Sequence, residues 1–190
     1  MNLATEITPA KLRSGGPAAL CDRRGAAVFA YCQTAAGNDA GAEVAAAAFA
    51  GFRRTILRPG SLTSGAQAEV LLRGVTRRDA LVHIRNAAVV DEGRRAAGCD
   101  GRAVEILGYF ENTLAPADRE ALTAHTGRCH ACAAVLQRLT NAEPAFKVRP
   151  GTALPGDVAR GRSCWRWRMR RPLTGTRGTK TPWATRRYAC

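Results

Sequence analysis

Apolar side chains recur along the first half of this chain at intervals of three and four residues, the period of a helix that buries one face. Leu20, Val28 and Tyr31 share a face of a segment opening at Pro17, beside Ala27 and mostly opposite Asp22, Arg23 and Arg24. That spacing predicts a first helix, ended by the turn residues Gly37-Asn38-Asp39. Val44, Ala48, Phe49, Phe52 and Ile56 predict a second helix from about Asp39 to Leu57, stopped by Arg58-Pro59-Gly60. A third helical stretch, about Ser64 to Val90, carries Val70, Leu71, Val75, Leu81, Val82 and Ile84 over a longer run, with a break expected near Gly74. Residues 1–16, polar and containing a Ser-Gly-Gly run, read as a loose lead-in.

Composition narrows the fold class. Hydrophobic residues make up 46% of the chain, but many are alanine and only 6% of all residues are aromatic. Alanine is the best helix former and offers little to a pleated sheet, so the expectation is all-α. It takes the form of a small helical bundle, a compact second helical domain and a disordered basic tail. No apolar run reaches the length of a membrane span, and the N-terminus lacks a basic flank followed by a long apolar stretch. With seven unevenly spaced cysteines, this points to a cytoplasmic protein without membrane attachment rather than a secreted disulfide framework. Cys21 and Cys32 lie three helical turns apart, beyond disulfide reach, and are expected to be buried. His83, among apolar neighbours, reads as a packed or partly exposed helix residue.

The candidate chemistry lies between Cys99 and Cys132. His125, Cys129 and Cys132 stand in an H-x3-C-x2-C spacing, and Cys99 opens a segment after the exposed run Asp91-Glu92-Gly93-Arg94-Arg95. Thiolate sulfur and imidazole nitrogen are the ligands a tetrahedral zinc ion favours. The set Cys99, His125, Cys129 and Cys132 is therefore the expected Zn2+ site, with His130 as the competitor for the fourth position. Four protein ligands leave no open position on the metal and no orienting third group accompanies a Cys/His pair, so an enzyme is not expected.

The run from Gly108 to Cys132, GYFENTLAPADREALTAHTGRCHAC, together with Cys99, resembles the zinc-binding anti-sigma factor domain over about residues 97–140. The resemblance implies a short helix bearing the first ligand, a second helix ending near the histidine, and a third opened by the C-x2-C pair. It also implies zinc, a bacterial cytoplasm and a role in transcription control. Some members of that family use their ligand thiols as an oxidation switch. Ala115 departs from the family's usual capping serine or threonine.

A second resemblance covers the N-terminal half. The run Cys21 to Cys32, followed after a turn by Glu43 through Phe49 to Phe52-Arg53-Arg54, is similar to the start of region 2 of extracytoplasmic-function sigma factors. It implies contact with RNA polymerase core and with promoter DNA. Ala46 and Ala47 stand where that family carries a glutamine and an acid, and the aromatics of its DNA-melting helix are missing between Leu57 and Cys99. Arg73, Arg77, Arg78 and Arg85 remain in that span.

Of the net charge of +14, ten charges reside in residues 158–190, which carry nine Arg and one Lys but no acid. The rest of the chain is nearly balanced. The same tail holds all three tryptophans, and basic residues interleaved with aromatics suit phosphate neutralisation and base stacking. Arg166, Arg168, Arg170 and Arg171 are its candidate nucleic-acid contacts.

These readings divide the chain into a sigma-region-2-like unit (1–95), a zinc-binding anti-sigma-like unit (96–141), and a linker with the basic tail (142–190). The expected function is transcription regulation through protein–protein contact with a sigma factor or RNA polymerase core, with DNA as a further partner. The alternatives are a nucleic-acid-binding protein acting through its tail and a thiol-based redox sensor acting through the zinc cysteines.

Overall fold

The computed structural model describes residues 16–56, 65–92, 99 and 102–147, with the backbone alone for 16–22, 65 and 88–92. Among these residues the fold is all-α: α1 (Gly16–Ala36), α2 (Asn38–Ile56), α3 (Gly65–Glu92), α4 (Arg102–Glu111), α5 (Pro116–Thr126) and α6 (His130–Ala142), then a 3-10 turn (Glu143–Lys147). No strand occurs among them. None of the described helices is long and apolar enough to cross a membrane.

Helices α1 and α2 are separated by one residue. Gly37 adopts φ +97°, a left-handed conformation open to glycine at little cost, and its N–H donates to the Gln33 carbonyl at 2.9 Å. One turn later α2 runs hard against α1, because a Cβ on Gly41 would lie 2.8 Å from the Gln33 Cα. The core between them is built by Val28, Tyr31, Cys32 and Ala35 from α1 and by Val44, Ala45, Ala48, Phe49, Phe52 and Ile56 from α2. The α2 set is the one its helical spacing predicts.

Helix α3 closes the bundle with Ala68, Leu72, Val75, Ala80, Leu81 and Ile84. Its buried Thr76 hydroxyl donates to the Leu72 carbonyl at 2.7 Å, so the core holds no orphan there. One expectation needs correction. The helix continues through Gly74, since one glycine costs only about 1 kcal/mol relative to alanine and the turns on either side are packed. Val70 and Val82 are exposed, at 71% and 51%; Val70 lies opposite the stripe formed by Ala68, Leu72 and Val75, two residues away from both Ala68 and Leu72.

The remaining helices join the same core instead of forming a second one. Ile106, Leu122, Val135, Leu139 and Ala142 are continuous with the bundle's apolar cluster. Helix α6 lies against α1 and α3, and the 3-10 turn lies against α1. The first residues of the expected linker are therefore structured: Ala142 closes α6, and Phe146 is buried, stacked on Tyr31 with ring centroids 4.6 Å apart. Arg77 of α3 holds this turn in place, donating from Nε and Nη2 to the two Glu143 carboxylate oxygens, each at 2.7 Å. Its guanidinium also lies 5.7 Å from the Phe146 centroid and 5.8 Å from that of Phe110.

Candidate metal centre

Three short pieces of chain build the centre. Helix α4 ends in a Schellman turn: Asn112 takes φ 57°, Thr113 N–H donates to the Gly108 carbonyl at 2.9 Å, and Asn112 N–H donates to the Tyr109 carbonyl at 3.3 Å. Helix α5 starts with Ala115 at its N-cap and no side-chain cap, the position being helped by Pro116 just inside the helix. His125 falls in its last turn. The N–H groups of Arg128 and Cys129 then both donate to the His125 carbonyl, at 3.0 and 2.9 Å, folding the chain so that Cys129 becomes the N-cap of α6. Cys132 lies in the first turn of α6. Cys99, described by itself between Glu92 and Arg102, is held by its carbonyl, which accepts from the Arg102 N–H at 3.2 Å and from Arg85 Nη2 at 3.1 Å.

The four side chains converge. One ligand atom from each of Cys99, His125, Cys129 and Cys132 lies within 4.8 Å of all the others, and together they can hold a metal ion. Cys99 Sγ is 3.8 Å from His125 Nε2 and 3.7 Å from Cys129 Sγ. Cys99 and Cys132 are buried, whereas His125 and Cys129 are half-buried, so the cluster sits at the surface end of the core.

The three thiols differ in proton affinity. The backbone N–H of Cys132, at the open end of α6, is the largest influence on Cys129 and holds its pKa below the ordinary thiol value. Burial raises Cys99, with the Arg85 charge acting weakly in the other direction. Cys132 is pushed up to about 12, first by burial and then by its hydrogen bonds with the other two thiols. A bound cation displaces protons from such thiols and replaces their mutual repulsion with coordination.

The sequence-derived ligand set is thus brought together complete. His130, the competitor, is exposed at the start of α6 and stands outside the cluster, and His83 is half-buried on α3 away from it. Arg166, Arg168, Arg170 and Arg171 lie outside the described residues. The arginines noted on α3 serve the fold: Arg73 pairs with Glu69 at 3.2 Å, Arg77 with Glu143, Arg78 with Asp79 at 3.1 Å, and Arg85 with the Cys99 carbonyl. Two residues beside the thiols escaped the sequence reading: Arg85 itself and Arg102, which pairs with Glu105 and places positive charge near Cys132 and Cys99. Nothing local in the sequence marks them, since acidic residues outnumber basic ones between Cys99 and Cys132.

No family model matches this chain, and neither a curated protein nor a solved structure does.

Proposed function

We propose that this chain is a zinc-binding transcription regulator of the sigma/anti-sigma kind, working by protein–protein contact with a sigma factor or RNA polymerase core and carrying out no catalysis. The observation that carries the metal half of this reading is the convergence of three thiols and one imidazole within 4.8 Å. A zinc ion with arms of about 2.3 Å to sulfur and about 2.0 Å to nitrogen has tetrahedral edges of about 3.5–3.8 Å. The 3.7 Å S···S and 3.8 Å S···N separations are close to those edges. A soft ligand set argues against calcium and magnesium. Four protein ligands also complete the coordination shell, which supports a structural role.

The regulatory half rests on the spacing of the ligands within helices α4 to α6 and on the resemblance of residues 97–140 to the anti-sigma zinc domain. In this reading zinc fixes the three short helices so that their outer faces can engage a partner in the bacterial cytoplasm. The experiment has two arms on the full chain. Zinc content after purification under reducing conditions is expected to be one per chain, and lost or greatly weakened in Cys99→Ser, His125→Ala, Cys129→Ser and Cys132→Ser. Binding to purified RNA polymerase core and to isolated sigma factors is then measured with and without zinc. Zinc-dependent binding supports the regulator, and binding to neither partner in the zinc-loaded state removes it.

One geometric feature favours a second reading, in which the same centre senses oxidants. Cys99 and Cys129 Sγ atoms stand 3.7 Å apart, so a disulfide between them needs an approach of less than 2 Å after the metal leaves. Zinc release at low peroxide equivalents, reversed by a dithiol, is the outcome that supports it.

A further inference from the structure

Three of the four ligands, His125, Cys129 and Cys132, are placed by local backbone bonds within eight residues of chain. Cys99 is different. It lies 26 residues before His125, and the side-chain hydrogen bond to its carbonyl comes from Arg85 of α3, a helix of the N-terminal bundle. The second bond to that carbonyl, from the Arg102 N–H, belongs to the start of α4. Two donors on one oxygen fix the plane of the peptide next to the Cys99 side chain, and with it the direction from which Sγ meets the ion.

Charge makes the same argument. A dication with three thiolates and a neutral imidazole carries a single net negative charge, in a place where Cys99 and Cys132 are buried. An arginine at hydrogen-bonding distance from one ligand residue offsets that charge and lowers the cost of assembling three thiolates at one point. Arg85 is half-buried, with Ile84, its neighbour in sequence, in the core. Its backbone is therefore fixed by packing that owes nothing to the metal.

We infer that Arg85 is a positioning residue of the metal centre, so that the site is completed by the bundle and is not self-contained within α4 to α6. This inference rests on the metal-binding reading above. The consequence is that zinc affinity depends on α3, and that zinc binding draws the Cys99 segment onto the bundle.

The test uses the full chain, its Arg85→Met and Arg85→Lys variants, and Arg54→Met as a control at an exposed arginine of α2. Zinc affinity is measured by competition with a chromophoric chelator, and Co2+ is substituted to read the thiolate charge-transfer band. Arg85→Met is expected to bind zinc about 10–100-fold more weakly, with its Co2+ band moved to lower energy because the thiolates lose a neighbouring positive charge. Arg85→Lys is expected to recover part of the affinity, and Arg54→Met to match the parent. If Arg85→Met loses its native helicity, Arg85→Lys decides, with a loss of about threefold or more expected. A parent that binds one zinc alongside an Arg85 variant of equal affinity and unshifted band overturns this inference and leaves the metal reading standing. An equal loss in Arg54→Met overturns it as well. A parent that takes up no metal overturns both.

Discussion

Helices α1 to α3 and helices α4 to α6 are built from the same alphabet but held together differently. The first three bury Tyr31, Phe49, Phe52, Ile56 and Leu81 almost completely, a set of large side chains that fills the space between long helices. The last three are 10, 11 and 13 residues long, and bury Ile106, Leu122, Val135 and Leu139 together with the small Ala142. Helices of that length are marginal alone in water, and four apolar side chains do not compensate for ordering two connecting turns. What this half has instead is the four-ligand centre at the α5–α6 turn and the Arg77–Glu143 pair at the far end of α6. A long-helix unit can rely on burial, whereas a short-helix unit needs cross-links.

The largest test of that contrast is metal removal. Structural zinc contributes apparent binding free energies of about 10–16 kcal/mol in small metal-folded peptides. Chelation is therefore expected to unfold α4 to α6 while α1 to α3 keep their helicity, seen as hydrogen-exchange protection lost in 102–147 but retained in 23–56. Uniform loss across both would erase the distinction. Phe52→Ala comes next, with about 3–5 kcal/mol of destabilisation in the chemical-denaturation midpoint whether or not zinc is present. Arg77→Met removes a bidentate pair whose side chains are 11% and 29% exposed, and leaves a carboxylate without its partner. It is expected to cost about 2 kcal/mol and to raise exchange at Phe146.

Smaller effects sharpen the picture. The Tyr31 hydroxyl is buried without a well-formed hydrogen bond among the described residues; burial, then the Glu143 charge, raises its pKa far above the ordinary phenol range, with Arg77 acting in the other direction. Burial raises the Cys32 thiol as well. Both groups must be neutral in the folded chain, so their contribution is complete below the unfolded-state values and is lost as pH climbs past about 8.5 for the thiol and about 10 for the phenol. The stability curve is expected to fall at alkaline pH by about 1.4 kcal/mol per pH unit for each group, and Tyr31→Phe to flatten the upper part of that limb. At neutral pH the same variant is expected to be as stable as the parent or slightly more so. The smallest effect is Asn112→Ala, about 1 kcal/mol, because only glycine and asparagine tolerate the left-handed end of α4 without strain. Asn112→Gly is expected to be neutral.

How much of this was legible in the sequence follows from the range of each interaction. The α2 core positions were readable because one helix face repeats within a few residues, and the metal ligands were readable because few residue types bind soft ions and three of them lie within eight positions. The exposure of Val70 and Val82 is not legible in the sequence because a valine on α3 looks the same whichever way the helix is rotated, and rotation is set by what α1 and α2 present to it. The Arg77–Glu143 pair spans 66 residues and had no local signature. The residues from 142 onward read as a linker, although the aromatic Phe146 is a hint that the segment has something to bury. Arg85 is one of four arginines between Leu57 and Cys99, and nothing in their spacing distinguishes the one that reaches the Cys99 carbonyl.

Helix α6 begins at the metal ligands and ends at Glu143, the residue clasped by Arg77. A helix of this length is a rod of about 20 Å, stiff enough that its two ends do not move independently. Coupling between the two ends is expected to show as a change in zinc affinity in Phe146→Ala, measured by chelator competition. Any ligand that displaces Phe146 is then expected to weaken metal binding, and metal removal to expose the Phe146 ring and the Glu143 carboxylate.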